Sequence, residues 1–182
     1  KKNKGNSNSM IETGVGASTI ALFFSAYMFN KKLFSFDYNP DKISLMRQVI
    51  NDAICVPLNI KINKYWVAIP SKSTEKYTGI ESLKEFGEKI DFGFFDSAHS
   101  LNNLIKEIEL FCKICEKKFI IGIDDGEKIN NKNFHFDYTN MIRKKIGLSK
   151  IKNPHINKCD YFYKEVYNFL ANKFKVLKIK TF

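Results

Sequence analysis

Arginine is almost missing from this chain. Only Arg47 and Arg143 stand among its 30 basic residues, and the rest are lysine. Specific readers of nucleic acid favour arginine, whose planar fork pairs bidentately with guanine and phosphate. The formal net charge of +11 is therefore weaker evidence for a nucleic-acid partner than its size suggests. Heavy use of Lys, Asn, Ile and Phe reads as an AT-rich coding bias, and nucleic acid is disfavoured as a partner. Cysteine is also scarce. The four (Cys55, Cys112, Cys115, Cys159) are too few for a disulfide scaffold. Cys112 and Cys115 lie inside an apolar-periodic helix with no second pair, which favours buried thiols over a zinc or redox site. Nine Gly and four Pro exclude a collagen-like or low-complexity chain.

Long apolar runs are missing too. The longest, Thr19 to Phe29, spans 11 residues and contains Ser25, whereas a membrane span needs about 20. The basic Lys1 to Lys4 ahead of it imitates an export signal. Glu12 and a Gly-x-Gly turn intervene, however, and Asn30-Lys31-Lys32 stands where a small-residue cleavage site belongs. The expectation is a cytoplasmic protein with no membrane association. The chain opens on Lys1, consistent with a piece of a longer protein.

What is present is ample material for a core. The chain has 182 residues, 44% of them apolar and 14% aromatic, with 17 Phe. Ser9 to Glu12 reads as the end of a short strand. Thr13-Gly14-Val15-Gly16-Ala17-Ser18 is a turn, with Ser18 as the expected N-cap of a buried helix over 19–29. Lys32 to Asp37 reads as a strand and Pro40 to Asp52 as a helix with Pro in its first turn. Strands follow at Tyr65 to Ile69, Ile90 to Asp96 and Lys118 to Ile123. Helices are expected at 81–89 and at 101–117, where Leu101, Leu104, Ile105, Ile108, Phe111 and Cys115 share a face. A polar stretch leads to a helix at Tyr161 to Lys173 and a last strand at Phe174 to Lys180.

Alternating strands and helices predict an α/β architecture: a Rossmann-like, doubly wound, mostly parallel sheet with helices on both faces. One domain over 1–182 is expected, with 1–8 a flexible end and 127–158 a substrate-covering segment. Ligands of such sheets bind outside the carboxyl ends of the strands. Glu12, Asp37, Asp96, Asp124 and Asp125 all sit at those ends, in a chain that is basic overall.

A Gly-x-Gly turn admits a ligand close to the backbone, and a carboxylate ending the next strand can accept both hydroxyls of a ribose. Asp37 lies 23 residues beyond Gly14, near the spacing of nucleoside-binding units. A dinucleotide site wants a third glycine where Thr19 stands. Glu12 would repel a pyrophosphate and suits a ligand with an ammonium group, such as S-adenosylmethionine. A purely structural turn, with Glu12 and Asp37 as strand-end caps, is the alternative.

Ile11-Glu12-Thr13-Gly14-Val15-Gly16-Ala17-Ser18-Thr19, Ser35-Phe36-Asp37, Phe94-Phe95-Asp96-Ser97-Ala98-His99-Ser100 and Ile123-Asp124-Asp125-Gly126 together resemble the class I S-adenosylmethionine-dependent methyltransferases. The resemblance is to the branch with an Asp-x-x-His-Ser end to the fourth strand, often O-methyltransferases, and it covers about residues 9–126. It implies a cofactor-binding set of Glu12 and Gly14 beside the methionine moiety, Gly16 beside the nucleoside, Asp37 on the ribose and Ser73 toward the adenine, with Ser18 and Asp96 also in the set. It also implies that the ends of strands four and five are neighbours. Asp96, Asp124 and Asp125 would then converge, and repelling carboxylates are relieved by a hard cation such as Mg²⁺. Metal-dependent O-methyltransferases of this class use such a set.

The chemistry expected is transfer of a methyl group to a small hydroxylated substrate. A divalent ion lowers a hydroxyl pKa, and His99, three residues past Asp96, is the candidate general base, with Asp96 beside it as the second catalytic candidate. Other readings stay open. Asp124-Asp125-Gly126 also fits a turn, His99 also fits a helix start, and Ser100 fits an N-cap. A non-catalytic nucleoside- or NAD-binding domain is the alternative function. A nucleic-acid methyltransferase is disfavoured by the lack of an Asn/Asp-Pro-Pro-aromatic motif. The partners expected are a small-molecule substrate and, as an open alternative, a second copy of the chain in a homodimer.

Overall fold

The structure, a computed structural model, describes residues 8–97, 101–124, 144, 149 and 168–174. Among these residues five strands form one sheet: β1 (Ser9–Thr13), β2 (Leu33–Phe36), β3 (Trp66–Ile69), β4 (Ile90–Phe95) and β5 (Cys115–Ile123). Their order is β3-β2-β1-β4-β5, and every pairing is parallel. The helices are α1 (Ala17–Met28), α2 (Pro40–Ile50), the short α3 (Val56–Leu58) and α4 (Ile62–Tyr65), and α5 (Leu101–Ile114). This is the α/β Rossmann-like fold that the alternation predicts.

The chain steps outward from β1 to β3, then returns across the sheet to β4 and steps outward again to β5. Right-handed crossovers in opposite directions place their helices on opposite faces. The period of two along each strand shows both faces being filled. Met10 and Leu33 join Phe23 and Ala26 of α1, Ile43 and Ile50 of α2, and Trp66 in one buried cluster. On the other face the Phe95 ring meets Phe111 of α5 edge-on, with centroids 5.7 Å apart, and Phe111 meets Phe119 at 5.4 Å. Burying rings of this size is the main favourable contribution to folding. Gly93 faces the same rings, and a side chain there would press on Phe111 and Phe95.

Several boundaries differ from those read in the sequence. The helix expected over 19–29 begins at Ala17, with Gly16 as its N-cap and not Ser18. Ser18 instead turns its hydroxyl back toward Glu12. The helix from Pro40 is capped by Asn39, whose side chain accepts from the Asp41 and Lys42 amides at 3.0 and 3.2 Å. It continues past Ile50 through a π-helical turn, Asn51–Cys55. The helix expected over 81–89 is a single 3-10 stretch, Ile80–Lys84. Gly87, at φ +66, follows soon after, a left-handed conformation that stops helical propagation. The helix expected to reach residue 117 ends at Ile114, and Cys115 opens β5. Helical and strand periods overlap where apolar residues are dense, and there the sheet partner decides.

The chain divides into two units, Lys1–Asp124 and Asp125–Phe182. In the second, residues 168–173 are helical, within the helix read from Tyr161. The expected flexible end before residue 8, almost all of the segment 127–158 and the last strand beyond Phe174 lie outside the described residues. Charge is split unevenly along the sequence. Residues 8–124 hold 14 basic and 14 acidic side chains, whereas residues 125–182 hold 13 basic and five acidic ones. No helix among the described residues is long and apolar enough to cross a membrane.

The strand order reverses between β1 and β4, which makes their carboxyl ends the switch point where such sheets open a crevice. Gly14 lies there at φ +86. Its amide donates to the Phe36 carbonyl at 2.8 Å, and the Asp96 amide donates to the Thr13 carbonyl at 2.9 Å. A Cβ on Gly14 would fall onto the Asp96 carbonyl. Gly14→Ala thus combines a left-handed backbone with a backbone collision, and is expected to cost at least about 2 kcal/mol of stability. Thermal denaturation of the two proteins side by side measures this. An unchanged midpoint would show that the turn is looser than its geometry states.

Candidate functional site at the carboxyl edge of the sheet

Alternation along β1 sends Glu12 to the α1 face and Thr13 to the α5 face. Glu12 is fully buried, and both its carboxylate oxygens are engaged. Oε1 accepts from Ser18 Oγ at 2.8 Å. Oε2 accepts from Thr19 Oγ1 at 2.9 Å and from Ser35 Oγ at 2.7 Å. Thr19 Oγ1 in turn accepts from the Gly16 amide at 2.9 Å, and Ser35 Oγ accepts from the indole N–H of Trp66 at 2.9 Å. One buried carboxylate thus links β1, β2, β3, α1 and the turn. Burial pushes the Glu12 carboxyl up to about 7, against the pull of its three hydroxyl donors, and the charge of Asp96 adds a smaller push. In this geometry Glu12 acts on the turn that it supports.

Asp37 sits at the end of β2 and is buried. Its Oδ2 accepts from the Val15 amide at 3.0 Å and lies 3.2 Å from Lys42 Nζ. Its Oδ1 accepts from the Asn39 amide at 2.9 Å. A carboxylate oxygen has two lone-pair directions, so Oδ1 retains acceptor capacity. The spacing between Gly14 and Asp37, read in the sequence as a ligand signature, here also joins two loops directly. Beside them, an added Cβ at Gly16 would meet nothing within 4 Å. The two glycines therefore differ: Gly14 is packed against backbone and Gly16 borders open space. Tyr38 is 75% exposed next to Asp37, and nothing in the sequence reading had singled it out.

Ser73, expected toward the adenine, is buried in the loop after β3. Its hydroxyl donates to Glu107 Oε1. Glu107 was not anticipated. It lies on α5 between Leu104, Ile108 and Phe111, all buried, and a glutamate inside such an apolar stripe was the available signal.

The register pairs Phe95 with Ile123, and the Asp124 amide donates to the Phe95 carbonyl at 3.1 Å. Asp96 and Asp124 therefore occupy adjacent strand ends, as expected. Asp124 is exposed and Asp96 half-buried. The remaining members of that constellation, Asp125 and His99, lie outside the described residues. Among the described residues no three His, Cys, Asp or Glu side chains gather into a set that could hold a metal ion. The pair of carboxylates fits a hard cation only in part.

The Cys112 and Cys115 pair spans the junction of α5 and β5. Cys115 Sγ points at the Cys112 carbonyl at 3.8 Å, and burial, with Cys112 adding to it, pushes its thiol up to about 11. That disfavours the thiolate needed for redox or metal chemistry. Cys112 itself is exposed, against the expectation of two buried thiols.

No protein-family model matches the chain, and no curated protein matches it. Among solved structures, it is similar to an rRNA methylase from Streptococcus thermophilus at 17% identity and a TM-score of 0.43, over 79% of this chain and 72% of that one. It is also similar to PKMT2 from Rickettsia typhi, solved in complex with AdoHcy, at 16% identity and a TM-score of 0.47, over 94% of this chain. This chain spans 30% of the latter protein. Likeness of this degree carries no residue role, substrate or cofactor over to the present chain.

The buried Glu12 makes a pH prediction. Its folded pKa of about 7 stands above the ordinary value of 4.5, so the folded state holds this proton more tightly than the unfolded one. Its contribution to stability is complete below pH 4.5 and is lost as pH rises through 7. Glu12→Gln keeps an acceptor and removes the charge. The stability of Glu12→Gln relative to the parent is therefore expected to improve between pH 5 and 8, by up to about 3 kcal/mol. Parallel denaturant titrations across that range measure it, and a flat difference would contradict the buried charge.

Proposed function

We propose that residues 8–124 bind S-adenosylmethionine across the β1–β4 switch point and transfer its methyl group to a hydroxyl of a small molecule. The observation that carries this reading is the open space at Gly16 beside the buried, backbone-anchored Asp37. A turn closed at Gly14 and open at Gly16 offers backbone to a nucleoside, while Asp37 Oδ1 offers acceptor capacity to a ribose hydroxyl. The exposed Tyr38 ring supplies a stacking face for a purine. Glu12 serves as a positioning residue, fixing the Gly16 amide through Thr19.

When bound, the cofactor supplies a methyl group on a sulfonium sulfur that leaves as a neutral thioether. The acceptor hydroxyl gives up its proton as its oxygen bonds to that carbon, and His99 is the proposed base. Holding acceptor and donor in line accounts for much of the rate. A hard divalent cation at Asp96, Asp124 and Asp125 is a finer proposal, and no step above depends on it. Activity that withstands chelation would remove it.

A polyanionic acceptor is a second reading, favoured by one observation: the basic excess of residues 125–182. It predicts binding of RNA at physiological ionic strength with a steep salt dependence. The small-molecule reading predicts none.

The cofactor assignment is tested by calorimetric titration with S-adenosylhomocysteine and, separately, with NAD. Micromolar binding of the first is expected, with Asp37→Asn weakening it at least about 30-fold, equivalent to about 2 kcal/mol. Binding of NAD alone would overturn the assignment.

A further inference from the structure

Glu107 is a buried carboxylate, as are Glu12 and Asp37, but nothing in the proposed chemistry uses it. It is 1% exposed on α5, on the face of the sheet opposite Glu12. Its Oε1 accepts from Ser73 Oγ and from Ser97 Oγ at 2.6 Å. Ser97 Oγ also accepts from Asn103 Nδ2 at 3.0 Å. Thr13 Oγ1 is buried beside the same carboxylate, short of hydrogen-bond geometry. Burial raises the Glu107 carboxyl above the usual range, against these donors. An acid in an apolar helix stripe is retained at a cost, and the groups it gathers show what it holds.

Those groups come from strand ends that are not neighbours. Ser97 follows β4 and Ser73 follows β3, and β1 and β2 lie between those strands. The loop after β3 must therefore cross the edge of the sheet to reach α5. It crosses as a folded unit. The Glu75 amide donates to the Lys72 carbonyl at 3.0 Å, the Gly79 amide to Glu75 at 2.9 Å, and the Ile80 amide to Ser73 at 2.8 Å. The Ser71 and Thr78 hydroxyls bond to each other at 2.6 Å. Gly79 is packed so closely that a Cβ there would meet the Ser73 and Glu75 carbonyls. Ser73 is the point where this unit is fastened to α5.

We propose that Glu107 is a positioning residue that clamps the 71–79 loop to the end of β4, setting the adenine-side wall of the crevice against the switch point. This rests on the cofactor reading given above for its functional consequence, but not for the clamp itself. Glu107 touches no reacting atom in this role. It acts through Ser73 and Ser97, each held by a charge-assisted hydrogen bond. A wall held in place before the ligand arrives spares the ligand the cost of ordering it.

The test uses the full chain and three variants: Ser73→Ala, Glu107→Gln and Glu107→Ala. Hydrogen–deuterium exchange reads the clamp, and calorimetry with S-adenosylhomocysteine and with adenosine reads its consequence. In Ser73→Ala, amides of 71–79 are expected to exchange at least about tenfold faster, while those of 104–113 in α5 stay unchanged. Affinity for both ligands should fall by the same factor, about tenfold, because the wall faces the part they share. Glu107→Gln retains an acceptor oxygen and should restore most of the protection and affinity that Glu107→Ala loses. Unchanged exchange at 71–79 in Ser73→Ala would overturn the clamp, and this holds even if Glu107→Ala fails to fold. Faster exchange with unchanged affinity would overturn its positioning role. A parent protein that binds no S-adenosylhomocysteine would refute the cofactor reading, while the exchange data would still decide the clamp.

Discussion

A buried carboxylate must be satisfied by donors, and Glu12 governs this unit because its donors come from everywhere around it. Ser18, Thr19 and Ser35 turn their hydroxyls to it, so the start of α1 and the middle of β2 are fixed relative to β1. The glycine turn is then held from two sides, by Thr19 at the Gly16 amide and by Asp37 at the Val15 amide. Together they leave the backbone of the turn one conformation, with its tight side on Asp96 and its free side at Gly16.

The same device appears on the other face. Glu107 is buried under α5 and gathers hydroxyls from two loops. The two acids divide the work: one fixes the turn after β1, the other fixes the loop after β3 and the end of β4. Hydroxyl donors suit this task better than lysines would. They are short and lose little rotamer freedom on burial. The cost is visible in the raised pKa of both carboxyls.

Much of the fold was legible from pattern alone. The order of the five strands and of α1, α2 and α5, the parallel sheet and the placing of acids at strand ends follow from periodicity and turn residues, whereas the short α3 and α4 were not read. What escaped the sequence reading was cooperative. Ser18 looks like an N-cap, but the helix starts earlier, with Gly16 in that place, and Ser18, inside the first turn, donates its hydroxyl to Glu12. The helix at 101–117 loses its last turn because Cys115 pairs with Ile90, a partner 25 residues away that periodicity cannot see. Glu107 was passed over because a stripe of apolar residues draws attention to its hydrophobic members. For the site, Glu12, Gly14, Gly16 and Asp37 were visible as a spacing, but their division into closed and open positions depends on the approach of Asp96. His99 and Asp125, read from the sequence as base and ligand, lie outside the described residues.

Trp66 is the one tryptophan of the chain, fully buried, with Arg47 stacked 5.2 Å from its ring and its indole N–H bonded to the serine that serves Glu12. The emission of an indole shifts with the field and hydrogen bonding around it. Any event that changes the charge of Glu12, or moves the turn above it, is thus transmitted through one hydroxyl to the one indole of the chain. The molecule carries an internal optical reporter of its own crevice, with no second indole to obscure the signal.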